Sequence, residues 1–207
     1  MGDGVKPEGG GSDSRLSKAM AVKSENGDQF ILSFDSLDEA EAIRSVRSPA
    51  AGATTMFIGT TRDTFKGEDV FGDVLDHPAH LVYFSDKIVS NLEYEAYSSL
   101  AMKRMQEIVA KARRGDLTPP VDERNQSQGE SYGATVTRIF IAHRLGVVPV
   151  AENSIVITVS SPHRRESFEV AEWLLEQIKR EVPIWKRESY TTQDKSWKSN
   201  FPSSQHP

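Results

Sequence analysis

Ser161-Pro162-His163-Arg164-Arg165 sets three basic side chains directly behind a pair suited to open a helix. Ser161 reads as the N-cap and Pro162 as the first helical position. A first helical turn carries partial positive charge and favours acids. His163, Arg164 and Arg165 break that preference, with Glu166 alone to offset them. Exposed cations there cost roughly 0.3–1 kcal/mol each. A bound anion would compensate, because free helix N–H groups and guanidinium forks together hold a phosphate or carboxylate. The plainer reading is a pair of surface arginines matched to Glu166 and Glu169.

Two lysines follow on the same stretch of chain. Lys179 falls near the end of the helix that Ser161 opens, where a cation also simply complements the C-terminus. Lys186 follows Trp185 in VPIWKRE. An isolated lysine is usually solvated, but one beside other cations and walled by an aromatic ring can serve as nucleophile or acid/base group. Phe57-Ile58-Gly59-Thr60-Thr61-Arg62-Asp63 ends a strand with glycine, hydroxyls and an arginine. It offers a second arm to an anion site, or merely a strand exit. His143 reads as structural, and His77 and His80 lie without a carboxylate partner, so no metal site is expected. Phosphate-loop, dinucleotide-binding, serine-hydrolase and zinc-protease motifs are absent.

The elements that must position these groups fit one domain in 207 residues. With 37% hydrophobic and 27% charged residues the chain can bury a core. The lack of cysteine excludes disulfides, zinc–cysteine sites and thiol nucleophiles. A net charge of −5 argues against a general nucleic-acid footprint, and no apolar run suits a membrane span. No targeting signal is visible, so a cytosolic protein is expected.

Residues 1–26 are rich in Gly, Ser and charge and read as a disordered tail. Residues 27–190 form the expected domain, with insertions near 66–88 and 115–133, and 191–207 read as a flexible tail. Strands are expected at 29–34, 53–60, 81–84, 91–97, 134–142 and 153–160. Ser36 and Glu39 suggest a capping box for a helix ending near Val46. A second helix is expected over 98–114 and a third from Pro162 to Arg180, its buried stripe formed by Phe168, Ala171, Leu174, Leu175 and Ile178. This order predicts an α+β fold with a largely antiparallel sheet.

FIGTTR (57–62), LEYEAY (92–97), AHRLG (142–146), SSPHRRESFE (160–169) and VPIWKRE (182–188), in this order, resemble the molybdopterin synthase large, catalytic subunit family. The resemblance covers roughly 27–190 apart from the insertions. It implies an α/β hammerhead-type domain with an additional antiparallel β-sheet. The implied activity is sulfur transfer onto cyclic pyranopterin monophosphate, forming the dithiolene of molybdopterin. The sulfur donor is the C-terminal Gly-Gly thiocarboxylate of a small ubiquitin-like subunit. The implied assembly is a homodimer of large subunits within a heterotetramer, with no cofactor or metal.

Residue by residue, the resemblance makes Lys179 and Lys186 catalytic. It makes Arg62, His163 and Arg164 substrate ligands, and Phe57 and Trp185 pocket walls. Asp63 departs from the family's usual asparagine. Two other readings remain open from the residues alone: a non-catalytic phosphate- or nucleotide-binding module, and a dimeric scaffold with Arg164 in an interchain ion pair.

Overall fold

The computed structural model describes residues 20–65, 87–117, 135–190 and 195–198. The strand expected at 81–84 and most of both expected insertions lie outside these residues. In chain order the elements are β1 (Met20–Lys23), β2 (Gln29–Ser33), α1 (Glu39–Ser45), β3 (Ala53–Thr60), β4 (Thr64–Phe65), β5 (Lys87–Ala96), α2 (Ser98–Arg113), β6 (Arg138–Arg144), β7 (Gly146–Pro149), β8 (Asn153–Ser161), α3 (Arg164–Glu181), β9 (Ile184–Tyr190) and β10 (Lys195–Lys198).

One sheet has the order β1-β2-β6-β8-β3, antiparallel except where β2 runs parallel to β6. The second has the order β10-β9-β5-β4, with β7 also paired to β5, and is antiparallel throughout. The α+β expectation therefore holds. Alternation along β6 divides the first sheet's faces. Phe140 and Ala142 meet Val156, Ala42 of α1 and Val46, which caps that helix. Ile139 and Ile141 join the main core with the buried faces of α2 and α3 and the inner side of the second sheet. Burying such aliphatic side chains stabilises the fold by about 1.5–3 kcal/mol each.

A buried carboxylate joins three elements at one edge of this core. Asp28, in the turn before β2, accepts from Arg113 Nη2 at 2.5 Å and Arg113 Nε at 2.8 Å. It also accepts from the Ile139 N–H at 2.9 Å, so one side chain ties that turn to the end of α2 and the start of β6.

Several local expectations are corrected. The residue capping α1 is Asp38, whose Oδ1 accepts from the Glu41 N–H at 3.0 Å, rather than Ser36. Ser161 ends β8 and its hydroxyl donates to the His163 carbonyl at 2.6 Å, so α3 starts two residues later than expected, with extended His163 as its N-cap. Phe168 is 61% exposed. The stripe that α3 buries runs through Val170, Ala171, Leu174 and Ile178, and at 3.6 residues per turn Phe168 stands about a quarter-turn away from it. The tails also contribute strands: β1 starts inside the stretch read as structureless, and β10 pairs with β9. Among the described residues no helix is long and apolar enough to cross a membrane.

Candidate active site

A cavity of about 360 Å³ opens where the two sheets and the end of α3 meet. Its first wall is a row across three strands: Gly59 of β3 opposite Ile155 of β8, and Ile155 opposite His143 of β6. Gly59 is required by close approach. A Cβ there would stand 2.6 Å from Ile155 Cγ2, closer than carbon atoms pack. The second wall is β5 and β9, which contribute Leu92, Tyr94, Ile184, Lys186 and Glu188. Leu175, Ile178 and Lys179 close it from α3, while Phe57 and Arg62 flank it from β3 and the loop beyond.

Four residues singled out by sequence thus converge from two distant stretches of chain: Phe57, Arg62, Lys179 and Lys186. The two lysines are held differently. The Lys186 ammonium lies 3.1 Å from Oε1 of Glu188, which is 2% exposed. The Tyr190 hydroxyl donates to the other oxygen of Glu188 at 2.5 Å. Lys186 is therefore fixed by a carboxylate that is itself fixed. Among the described residues Lys179 pairs with Glu176 alone, 3.5 Å away on the exposed flank of α3, a pair too weak to pin it. Arg62 has no ion-pair partner among the described residues, Asp63 included. Three cations thus face the cavity against one buried carboxylate, which suits an anionic ligand.

Trp185 does not line this cavity. Successive strand residues point to opposite faces, so Ile184, Lys186 and Glu188 face inward and Trp185 faces out. It is 42% exposed and packs edge-on against Tyr97, with ring centroids 5.2 Å apart. His163 and Arg164 are likewise absent from the lining. Arg164 and Lys179 stand fifteen helical steps apart, roughly 22 Å along α3. Of the basic run, Arg165 pairs with Glu169 at 2.7 Å, as the plainer reading has it. His163 and Arg164 are exposed and have no ion-pair partner among the described residues.

Comparison with known proteins decides the family. A family model described as MoaE protein matches residues 32–181. The chain belongs to the MoaE family. It is 37% identical over 171 residues to a molybdopterin synthase catalytic subunit of Culex quinquefasciatus, covering 82% of this chain and 86% of that protein. The protein of the same name from Aspergillus fumigatus is 36% identical over 169 residues, covering 82% and 70%. Among solved structures, molybdopterin synthase from Staphylococcus aureus superposes with a TM-score of 0.59 at 22% identity, covering 84% of this chain and 98% of that one. A complex of subunits 1 and 2 of molybdopterin-converting factor from Helicobacter pylori gives 0.53 at 19%, covering 86% and 93%. At such identities the structures show a shared fold.

Within this MoaE fold, sequence reasoning missed Glu188 and Tyr94 as site residues and left His143 as structural. The signal for Glu188 was its place two residues past Lys186, which puts both on one face of a strand. His143 is buried and its ring meets Tyr94 edge-on, with centroids 4.9 Å apart. Burial lowers its pKa from 6.5 to about 4, against the opposing effect of its bond to the Arg144 carbonyl, so the imidazole is neutral at pH 7. Burial also raises the Tyr94 phenol, which stays protonated.

Proposed function

We propose that this chain is the catalytic subunit of a molybdopterin synthase. In this reading it moves sulfur from the thiocarboxylated Gly-Gly end of a small ubiquitin-like subunit onto cyclic pyranopterin monophosphate. The observation that carries the reading is the convergence of Arg62, Lys179 and Lys186 on one cavity, each matched by the resemblance to a family site residue. The cytosolic setting is part of the same proposal.

The chemistry fits the charges. Both reactants are anionic, one through its cyclic phosphate and one through its thiocarboxylate, and a cationic pocket receives both. In each transfer a carbon–sulfur bond forms on the pterin as a carbon–oxygen bond there breaks, its oxygen leaving as water or, where the cyclic phosphate opens, on the phosphate, and the acyl carbon–sulfur bond of the carrier breaks. Water supplies the oxygen that leaves the tail as a carboxylate. Lys179, loosely held, is placed to act as acid/base group or transient acyl acceptor at the acyl carbon. Lys186, locked by Glu188, is suited to stabilise the developing oxyanion and orient the tail. His163 and Arg164 lie too far from Lys179 along α3 to serve this chain's own pocket. In the proposed homodimer they reach the pocket of the second copy.

The test is a single-turnover assay with thiocarboxylated small subunit and pyranopterin substrate. Lys179→Ala is expected to lose roughly a thousandfold in rate with folding and partner binding intact. A wild-type chain that forms no dithiolene would sink the reading. Glu188→Gln removes the charge that fixes Lys186 while keeping the shape. It is expected to slow the same assay roughly tenfold or more, with a small change in thermal midpoint. An unchanged rate would show that Lys186 needs no anchoring.

A further inference from the structure

Beside its three cations the cavity presents a neutral hydrogen-bond acceptor. His143 Nδ1 lies 2.8 Å from the Arg144 carbonyl oxygen. A carbonyl cannot donate, so Nδ1 carries the proton of this neutral ring and Nε2 is left as a bare acceptor. Nε2 has no hydrogen-bond partner among the described residues. It is also not one of the sealed polar atoms that lack a partner, which leaves it open to the cavity that His143 lines. The edge-on contact with Tyr94 fixes the plane of the His143 ring.

An acceptor lone pair repels phosphate and thiocarboxylate oxygens and attracts an N–H group. We infer that His143 Nε2 accepts a hydrogen bond from a ring N–H of the heterocyclic ligand, setting that ring against His143. This rests on the proposed pyranopterin substrate and adds which part of it faces His143. His143 is then a specificity-determining residue: it selects an N–H-bearing heterocycle over an isosteric ring that offers only acceptors. A site with a buried acceptor rejects ligands that leave it unpaired.

The test uses the full chain in complex with its small subunit. His143→Phe keeps a flat ring against Tyr94 and removes the acceptor. It is expected to weaken cyclic pyranopterin monophosphate binding roughly tenfold to a hundredfold, seen in KM and in calorimetry, with kcat little changed. Inorganic phosphate binding is expected to stay as in wild type, and His143→Gln, which returns an acceptor, to recover most of the loss. In wild type labelled with 15N-histidine, the Nε2 resonance should move from its unprotonated position toward the hydrogen-bonded range when pyranopterin is added. That readout needs no variant to fold. Unaltered pyranopterin affinity in His143→Phe, an equal loss for phosphate, or an Nε2 resonance unmoved at saturation would each overturn the inference while leaving the sulfur-transfer reading intact. Failure of the wild-type complex to bind pyranopterin overturns both.

Discussion

Mixing an Arg164→Ala chain with a Lys179→Ala chain is expected to restore about a quarter of wild-type sulfur transfer, although neither variant is active alone. The expectation follows from the length of α3. Arg164 stands at its start and Lys179 near its end, roughly 22 Å apart on one rigid helix. No single small ligand touches both from one chain. If each pocket takes Lys179 from one copy and Arg164 from the other, a mixed dimer holds one intact pocket and one doubly damaged one. Random reassociation makes about half of the dimers mixed, which yields the quarter. Single-turnover dithiolene formation across a series of mixing ratios measures it. A flat line at every ratio would mean that both arms belong to one chain's site, and an Arg164→Ala chain active on its own would mean that Arg164 serves no site.

The second large effect concerns stability. Asp28→Ala is expected to cost about 3–5 kcal/mol, because it strands the Arg113 guanidinium, the Ile139 N–H and the geometry of the turn before β2. That is a large fraction of the roughly 5–15 kcal/mol by which domains of this size are stable. Urea unfolding of the variant measures the loss. The double variant Asp28→Ala/Arg113→Ala is expected to lose less than the sum of its parts, since no unpaired charge is left behind. Additive losses would show that the two residues do not act as a pair.

Elements that bury a regular apolar face were readable from sequence. Strand β3 carries a β-branched run that ends where the reading put it, at Thr60, and α2 repeats its apolar residues at helical spacing from Ala101 to Ala112. Strand β9 was not legible, for a physical reason. Its inward face carries Ile184, Lys186, Glu188 and Tyr190 because it faces a polar cavity as well as core, so the apolar alternation that marks a strand is missing. Missing that strand hid Glu188 and put Trp185 on the wrong face. The break in helix-end preference at His163 and Arg164 was visible in the chain, and so was its distance from Lys179 along the one helix expected there, but which cavity residues lie beside Lys179 was not. Phe57, Arg62, Lys179 and Lys186 could be grouped only through resemblance. Their convergence depends on which strands pair, and residue types do not encode that pairing.

The helix α3 also acts as a ruler. If one copy's helix ends in its own pocket and begins in its neighbour's, the spacing of the two pockets is set by that helix, plus the reach of one side chain at either end. Adding one turn between Ser167 and Glu176 would lengthen the ruler by about 5.4 Å and withdraw an arm from both pockets at once. Catalytic geometry and quaternary spacing would then be one quantity, written in the number of residues between two basic side chains.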